Sequence, residues 1–546
     1  MTDRSGGDVV YEALKALQVD RLFVVASIHN LPILDAAHRH GGIHVVNVRH
    51  EQSAVHAADG YSRATGRLGV AVTSTGPGAA NSMGGLFEAG FASSRVLMIT
   101  GQVETRFYGQ GRGFLHEAER QVEMLRSVTR ETWSVRRVED IGELVVAAGR
   151  AAQSGRPAPT AIEIPIDLQY AITDVDPPVA AEIRPTAPRA DRLAAAAELL
   201  AAARRPLIWA GGGVVSGAAW HELQRLVERL QIPVVTSTQG RGSMPEDHPL
   251  CLGARISSPE VRSVVEEADV VLAVGTRFQM YTTSFWQVAL TSRLIHVDID
   301  PSVIGRSYSA AVSVVSDAAL ALAGLDSLVE DTQAEDEWAD RAREAGVRAR
   351  ETAMQSLGPD HRAIVEIIRR HVPQNGAIVR DATVPAYNWG DSLLPILEPR
   401  TSMNPVSAAI GPGLPLALGA TMGRQARSVV IHGDGGIMLT IGELATLAQC
   451  QVPLTVCVFN DGGYGILRGI QSATFAGARN DVDLLTPDFV LLARSMEVPG
   501  ERVADVAGFE AAFARSVDRE GPYLIEVDLN ALAPMNIEIR PQELLG

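Results

Sequence analysis

Short apolar runs rich in β-branched residues alternate with amphipathic stretches of helical spacing along almost the whole chain. This alternation is typical of parallel sheets covered by helices on both faces, because each strand is then buried on both sides. The sequence therefore predicts an α/β protein built from doubly wound, mostly parallel sheets. The strand candidates are residues 21–26, 42–48, 68–74, 95–101, 160–165, 206–211, 232–237, 270–275, 293–300, 376–382, 428–435, 454–461 and 523–529.

Two stretches interrupt this rhythm and indicate where the chain divides. Residues 174–192 are rich in Pro and Ala and indicate a linker. Residues 330–351 are charged throughout, which predicts an exposed helix joining two domains. We therefore expect three α/β domains of similar size, and we assign them to residues 1–175, 190–330 and 355–546.

Composition narrows the class of protein. The chain of 546 residues is too long for one core, and its formal net charge of −16 argues against nucleic acid or an anionic membrane as a partner. Three cysteines are too few for a disulfide framework, and Lys15 is the only lysine, which disfavours a Schiff-base mechanism. The sequence begins without the pattern of a signal peptide, and no apolar run has the length of a membrane span. These features predict a cytoplasmic enzyme.

The strongest chemical signal lies in residues 432–465. One strand candidate ends at the stretch GDGG, residues 433–436, and the next ends at NDGG, residues 460–463. The carboxyl ends of parallel strands share one edge of a sheet, where ligands bind. We therefore expect the side chains of Asp434 and Asn460 to face each other at that edge.

These residue types suit a metal and a phosphate group. Carboxylate, amide and carbonyl oxygens are ligands for Mg²⁺ or Ca²⁺. The glycines let the backbone approach an anion, and a helix start adds partial positive charge. The pattern predicts a site for a metal-bridged diphosphate, and the alternative is a pair of tight glycine turns with a capping aspartate.

The GDGG and NDGG stretches resemble the thiamin diphosphate signature of the superfamily that contains pyruvate decarboxylase, acetolactate synthase and benzoylformate decarboxylase. The resemblance extends to residues 49–66, 73–85, 101–103 and 408–420. It implies a pyrimidine-binding domain, a central domain and a diphosphate-binding domain. It also implies thiamin diphosphate and Mg²⁺ as cofactors and a small 2-oxo acid as substrate.

The same resemblance implies roles for individual residues. Asp434, Asn460 and the backbone carbonyl of Gly462 would hold Mg²⁺, and Ile410 would be wedged between the two rings of the cofactor. Further cofactor-binding positions would be Thr75, Gly76, Ala382, Thr383, Gly433, Gly435, Gly436 and Tyr464.

Glu51 stands at a strand-to-helix junction, between His50 and His56. The resemblance implies that its carboxyl group faces N1′ of the aminopyrimidine ring and shares a proton with it, which promotes removal of the C2 proton. It further implies that Glu51 and Asp434 of one site come from different subunits. A homodimer would then be the minimum assembly, and a homotetramer is expected.

Two weaker signals remain. The resemblance implies that the loop of His29 and Asn30 lies near the substrate, so these side chains would contact substrate or relay a proton, or else cap the backbone. Glycines 211–213 follow a strand as in a dinucleotide site, but the next strand ends in Ser237 and Thr238, without the acid that a ribose requires. FAD, which acetolactate synthases hold in this domain, stays an open alternative that no motif supports.

The resemblance limits the type of reaction more closely than the identity of the substrate. We expect a carboligase or lyase that acts on 2-oxo acids through a C2-bound enamine, similar to acetolactate synthase. A tryptophan of the synthase branch is replaced by Ile470, so a non-oxidative decarboxylase and a diketone hydrolase are alternatives. A non-catalytic cofactor-binding homologue is the alternative of another class, disfavoured because Glu51, Asp434 and Asn460 are all present.

Overall fold

The computed structural model describes residues 4–475, 477 and 479–536, and within them the chain forms three six-stranded sheets in which every strand pair is parallel. Apolar clusters pack against both faces of each sheet. The predicted α/β fold of three doubly wound domains is therefore confirmed. Among the helices that the structure describes, none has both the length and the hydropathy that a membrane crossing requires.

The N-terminal domain surrounds the first sheet. Its strands are β1 (Arg4–Ser5), β2 (Arg21–Val24), β3 (His44–Asn47), β4 (Gly69–Thr73), β5 (Val96–Gln102), β6 (Glu131–Ser134), β7 (Thr160–Pro165) and β8 (Ile172–Thr173). Its helices are α1 (Gly6–Ala16), α2 (Leu31–His40), α3 (Glu51–Thr65), α4 (Pro77–Asn81), α5 (Met83–Ala92), α6 (Gln121–Arg126), α7 (Ile141–Gln153) and α8 (Ile166–Tyr170). The sheet order is β3-β2-β4-β5-β7-β6, and β1 pairs separately with β8 in antiparallel fashion.

The central domain surrounds the second sheet, with the order β11-β10-β9-β12-β13-β14. The strands are β9 (Pro206–Ala210), β10 (Val234–Thr236), β11 (Cys251–Gly253), β12 (Val270–Val274), β13 (Leu294–Asp298) and β14 (Val312–Val315). The helices are α9 (Ala190–Ala201), α10 (Gly212–Ser216), α11 (Trp220–Leu230), α12 (Pro259–Glu267) and α13 (Ala318–Leu328), followed by α14 (Trp338–Ser356).

The C-terminal domain surrounds the third sheet. Its strands are β15 (Ile378–Arg380), β16 (Ser402–Met403), β17 (Ser428–Gly433), β18 (Leu454–Asn460), β19 (Gly500–Val503) and β20 (Tyr523–Asp528), in the order β16-β15-β17-β18-β20-β19. Its helices are α15 (Gly358–His371), α16 (Gly413–Arg424), α17 (Asp434–Ile437), α18 (Glu443–Gln449), α19 (Gly465–Thr474), α20 (Phe489–Ser495) and α21 (Val506–Val517).

Helix α14 differs from the exposed helix that the charged stretch predicted. One of its faces is buried against the central sheet through Trp338, Ala342, Ala345 and Ala349. The indole nitrogen of Trp338 also donates a hydrogen bond to the carbonyl oxygen of Pro206, at 2.7 Å. The helical spacing of the alanines was the available signal for this buried face. The many charged residues on the opposite face led instead to the prediction of an exposed helix.

Helices α3 and α16 join the N-terminal and C-terminal domains by an unusually close crossing. A Cβ atom on Gly60 would lie 2.0 Å from the carbonyl oxygen of Leu416, and one on Gly419 would lie 1.8 Å from the carbonyl oxygen of Ala57. Only glycine permits this approach, since any side chain would overlap the opposing backbone. The crossing positions the functional residues, because Glu51 begins α3 and the loop of Ile410 leads into α16.

Candidate active site

Asp434 and Asn460 lie side by side at the carboxyl edge of the third sheet. They follow the parallel register that pairs Gly433 of β17 with Phe459 of β18. Asp434 is 1% exposed, and its Oδ2 atom has no hydrogen-bond partner among the described residues. Burial and the neighbouring Asp461 carboxylate raise the pKa of Asp434 to about 6. This carboxylate therefore keeps an open oxygen at a high energetic cost, as a metal ligand would.

The amide of Asn460 is oriented by a buried acid. Its Nδ2 donates to Glu526 Oε1 at 2.9 Å, and its Oδ1 accepts from the backbone N–H of Gly462 at 3.1 Å. The carbonyl oxygen of Gly462 accepts from the N–H of Leu484 at 2.9 Å. A carbonyl oxygen has a second lone pair, so that bond leaves Gly462 able to bind a cation as well.

Three glycines, Gly433, Gly435 and Gly436, line the surface next to these oxygen donors, and we call this surface the cradle. A Cβ atom on Gly433 would lie 2.8 Å from Thr383 Oγ1, and one on Gly435 would lie 2.7 Å from the ring of Tyr464. At Gly436 a Cβ atom would lie 3.0 Å from a buried carboxylate oxygen. The sequence-predicted residues Thr383, Gly433, Gly435, Gly436 and Tyr464 are therefore brought together.

The buried carboxylate is Asp381, which the sequence interpretation missed. It follows β15 and precedes the half-buried Ala382, so it reaches the same sheet edge. Its oxygens accept from the backbone N–H groups of Gly411 at 3.0 Å and Gly413 at 2.7 Å. Asp381 thereby holds the loop of Ile410, whose side chain is 39% exposed. The loop lies beside the cradle, since a Cβ atom on Gly411 would lie 3.5 Å from the carbonyl oxygen of Gly436. An acidic residue directly after an apolar strand was the available signal.

The donor set at this edge fits Mg²⁺ and a diphosphate. The orphaned Asp434 Oδ2, the oriented amide oxygen of Asn460 and the carbonyl of Gly462 are hard oxygen donors. Within the described residues, no group of three or more His, Cys, Asp or Glu side chains is placed to hold a metal ion. A site here therefore depends on the amide and carbonyl donors in addition to Asp434.

A second cluster lies in the N-terminal domain around Glu51, the half-buried first residue of α3. Its Oε2 accepts from Asn81 Nδ2 at 3.0 Å, and its Oε1 would lie 3.2 Å from a Cβ atom on Gly78. His50 caps the helix, because its Nδ1 accepts from the N–H of Gln52 at 3.1 Å. Glu51 is thus held at a helix start with its carboxyl group beside a glycine turn.

Two histidines and two serines meet beside that turn. Ser74 Oγ lies 2.7 Å from Ser27 Oγ, 3.4 Å from His29 Nδ1 and 3.3 Å from His116 Nδ1. The rings of His29 and His116 are 5.3 Å apart. Burial and the neighbouring His116 lower the pKa of His29, and its Nε2 is buried without a partner in the described chain. The arrangement can store and move a proton.

Asn30 differs from its neighbour His29. Its Nδ2 donates to the carbonyl oxygen of Val25 at 3.0 Å, and its Oδ1 accepts from the N–H of Ser27 at 2.9 Å. Both polar atoms are used within the loop and the side chain is fully buried. The amide of Asn30 therefore fixes the loop that carries His29, in agreement with the capping alternative, and its contact with substrate stays a prediction.

Thr75 and Gly76 lie in the turn after β4 and are both buried. Thr75 Oγ1 and the N–H of Gly76 donate to Gln121 Oε1, at 2.9 and 2.8 Å. Gln121 Nε2 in turn donates to the buried carboxylate of Glu163 at 3.0 Å. This network, which the sequence interpretation missed, makes the turn rigid next to Glu51.

The two clusters are separate within one chain. Among the described residues, no side-chain hydrogen bond joins Glu51, His29 or Ser74 to Asp434 or Asn460. Large apolar side chains are exposed around both clusters: Ile28 and Leu115 around the first, Met438 and Leu439 around the second. Each cluster is therefore bordered by apolar side chains that the described chain leaves exposed.

The glycine loop of the central domain is used for close packing. A Cβ atom on Gly211 would lie 2.1 Å from the carbonyl oxygen of Gly275, and the N–H of Gly213 donates to that oxygen at 2.9 Å. Beside it is a cavity of about 180 Å³ that Arg95 and Arg277 help to line. Burial lowers the pKa of both guanidinium groups to about 10. The cavity suits an anionic group, and FAD stays an open alternative there.

Comparisons with known proteins follow the same three-part organisation. Residues 4–124 match the model of the thiamine pyrophosphate enzyme N-terminal TPP binding domain, residues 193–325 match the central domain, and residues 385–527 match the C-terminal TPP binding domain.

Relatives match along almost the whole chain. A probable acetolactate synthase large subunit from Methanocaldococcus jannaschii is 30% identical over 96% of this chain and 91% of its own length. An acetolactate synthase large subunit from Parasynechococcus marenigrum is 32% identical over 96% and 87%. A probable 2-ketoarginine decarboxylase from Pseudomonas aeruginosa is 34% identical over 96% and 94%. The resemblance stated from the sequence is confirmed: the chain belongs to the thiamine pyrophosphate enzyme family, as an acetolactate synthase-like enzyme that makes or breaks carbon–carbon bonds.

Proposed function

We propose that this enzyme is a Mg²⁺-dependent carboligase or lyase that acts on small 2-oxo acids. The observation that carries the proposal is the pairing of Asp434 and Asn460 at adjacent strand ends, with Asp434 Oδ2 buried and unpartnered in the described chain. A purely structural turn would not retain a desolvated carboxylate oxygen, since an unpaired buried charge is costly. A divalent cation bound by these groups would remove that cost.

The C-terminal half of the site would bind the diphosphate. Asp434, Asn460 and the Gly462 carbonyl would hold the metal, and the glycine cradle would admit the phosphate oxygens close to backbone N–H groups. Thr383 and Tyr464, which border the cradle, would limit where the diphosphate lies.

The N-terminal half would bind and activate the aminopyrimidine. When bound, the cofactor supplies a carbon that adds to the substrate carbonyl, and the cofactor ring accepts the electrons released with CO₂. Glu51 would exchange a proton with the ring at its carboxyl group, and Asn81, which donates to Glu51 Oε2 at 3.0 Å, would hold that group in place. Ile410 would support the cofactor from the opposite half through its exposed side chain.

The two half-sites would be completed by a second copy of the chain. Exposed apolar side chains around both halves support this arrangement, because a partner would cover them. A homodimer is the smallest assembly that would join a Glu51 cluster to an Asp434 cluster, and pairing of dimers would give a tetramer.

A non-oxidative decarboxylase is the second candidate function. The His29–Ser74–His116 cluster favours it, because releasing an aldehyde requires a proton where carboligation requires a second carbonyl. The lowered pKa of His29 keeps its imidazole neutral near pH 7, and its unpartnered Nε2 is free to face a ligand. The similarity to a probable 2-ketoarginine decarboxylase agrees with this alternative.

A panel of 2-oxo acids, with and without an aldehyde or 2-oxo acid acceptor, tests the proposal. The Mg²⁺-loaded enzyme should release CO₂ from at least one member, and mass spectrometry should identify either a ligated product or an aldehyde. Omitting Mg²⁺ should abolish the release. If no member of the panel gave CO₂, the decarboxylating function would be wrong, and hydrolysis of cyclic diketones would be tested next.

A further inference from the structure

The loop that carries Ile410 is held in an unusual backbone conformation. It runs from β16 to α16, and both Ala408 and Gly411 have positive φ angles, of 62° and 100°. A non-glycine residue in this region of φ is strained, so the surrounding structure must maintain it. The contacts on both sides of Ile410 show what maintains it.

On the N-terminal side, Glu88 of α5 holds the loop. Its Oε1 accepts from the N–H of Val406 at 2.7 Å, and its Oε2 accepts from the N–H of Ser407 at 3.0 Å and from Ser407 Oγ at 2.5 Å. Glu88 is 1% exposed and belongs to the N-terminal domain, whereas the loop belongs to the C-terminal domain. A buried carboxylate therefore binds the loop across the domain boundary.

Arg63 of α3 completes this side. Its Nη2 lies 2.8 Å from Glu88 Oε1, its guanidinium group donates twice to Asp59 at 2.8 Å, and its Nη1 donates to the carbonyl oxygen of Asn404 at 2.7 Å. Charge-assisted bonds of this kind are stronger and more directional than neutral ones. Arg63 thus orients Glu88 and also grips the start of the loop.

On the C-terminal side, Asp381 holds the loop from within its own domain. The bonds to the N–H groups of Gly411 and Gly413 lie directly after Ile410. The carboxylate is fully buried, with His432 Nε2 3.5 Å from its Oδ2. Ile410 therefore lies between two buried carboxylates, Glu88 and Asp381, that come from different domains.

We propose that Glu88, with Arg63, and Asp381 are positioning residues: they form a clamp that holds the Ile410 loop from both sides and thereby sets the location of Ile410 beside the cradle. This rests on the proposed function, in which the Ile410 side chain supports the cofactor. Neither carboxylate needs to touch the ligand, since each acts through backbone N–H groups of the loop. Because Glu88 acts across the domain boundary, the packing of the N-terminal domain controls the geometry of a C-terminal loop.

A matched control is available elsewhere in the chain. The side chain of Glu246, which is 2% exposed, binds Arg241 at 2.6 Å and accepts from the backbone N–H of Ile396 at 3.0 Å, across the boundary between the central and C-terminal domains. It resembles Glu88 in burial, partner and backbone bond but does not contact the Ile410 loop. Glu246→Gln therefore reports the general cost of weakening a buried interdomain pair.

The first experiment compares Glu88→Gln, Glu246→Gln and the parent by backbone hydrogen–deuterium exchange without cofactor. The peptide covering residues 404–413 should exchange roughly tenfold faster or more in Glu88→Gln, because charge-assisted bonds to its amides are lost. Glu246→Gln should leave that peptide protected. Unchanged protection in Glu88→Gln would overturn the clamp.

The second experiment measures exchange of the C2 proton of bound thiamin diphosphate in the Mg²⁺-loaded proteins, by acid quench and NMR. Glu88→Gln should slow this exchange roughly tenfold while Glu246→Gln does not, with cofactor affinity measured separately by fluorescence titration. A loosened loop with C2 exchange at the parent rate would overturn the positioning role. Absence of enzyme-promoted exchange in the parent itself would refute the proposed function, and the first experiment would still decide the clamp.

Ser407→Ala serves if Glu88→Gln fails to fold. It removes the hydroxyl bond to Glu88 Oε2 and keeps both buried charges paired. Faster exchange of the 404–413 amides and slower C2 exchange, both smaller than expected for Glu88→Gln, support the clamp. Parent values for both would refute it.

Discussion

Replacing Asp434 by Asn should stabilise the cofactor-free protein and at the same time abolish metal-dependent cofactor binding. Burial and the Asp461 carboxylate raise the pKa of Asp434 from 3.8 to about 6. A pKa shift of that size corresponds to up to about 3 kcal/mol of unfavourable free energy in the ionised folded state. The introduced amide carries no charge, so the variant avoids that cost but cannot neutralise a bound cation.

The sign of this effect depends on pH. The folded pKa lies above the unfolded one, so between about pH 4 and pH 6 the folded protein binds more protons than the unfolded chain. The contribution of Asp434 to stability is therefore fully present below the unfolded pKa and is lost as pH rises through 6. The stability of the variant relative to the parent should grow over the same interval and reach its maximum near neutral pH.

Denaturant unfolding of the cofactor-free proteins at a series of pH values measures this difference, and calorimetry with Mg²⁺ and thiamin diphosphate measures binding. Asp528→Asn is the control, because Asp528 ends the neighbouring strand β20 and accepts from the N–H of Asn530 at 3.2 Å. The control should bind the cofactor like the parent. If Asp434→Asn still bound the cofactor in a Mg²⁺-dependent way, the metal assignment would be refuted. If the variant were no more stable than the parent at neutral pH, the raised pKa of Asp434 would be contradicted.

Three further predictions concern other positions. Glu51→Gln should leave cofactor binding nearly intact but slow C2 proton exchange by roughly 10² to 10⁴, because the exchangeable acid proton is gone; exchange at the parent rate, read by NMR, would make Glu51 an ordinary carboxylate. Burial raises the pKa of Asp298 to about 6, so the parent should lose stability as pH rises from about 4 to 6, and Asp298→Asn should remove this loss; the same pH dependence of the free energy of unfolding in variant and parent would contradict it. Gly419→Ala should destabilise the protein by about 3 kcal/mol or more, because the new Cβ would lie 1.8 Å from the carbonyl oxygen of Ala57; a soluble variant with parental denaturant midpoint would show that the helix crossing tolerates separation.

The interior strands were predictable because a strand that is buried on both faces consists of apolar residues. All twelve interior strands of the three sheets coincide with apolar runs identified from the sequence, such as those containing β9, β12 and β18. Five of the six edge strands were missed: β6, β11, β14, β16 and β19. An edge strand is short and has one unpaired side, so little in its sequence distinguishes it from a loop.

The residues of the candidate site also fall into a predictable and an unpredictable group. Asp434 and Asn460 were predictable together because parallel strand order places consecutive strand ends at one edge, whatever the details of packing. The roles of Glu88, Asp381 and Ser74 were not, because each depends on partners that the tertiary structure brings from distant parts of the chain. For Asn30 the resemblance left both contact with substrate and capping of the backbone open, and the fold engages both of its polar atoms in backbone hydrogen bonds. The sequence by itself determined the fold class and the adjacency of Asp434 and Asn460, since these follow from local periodicity and strand order. Its motifs determined the cofactor family through their resemblance to thiamin diphosphate enzymes. The tertiary structure decided which buried carboxylates orient which loops, because a hydrogen bond between distant segments leaves no periodic pattern in either of them.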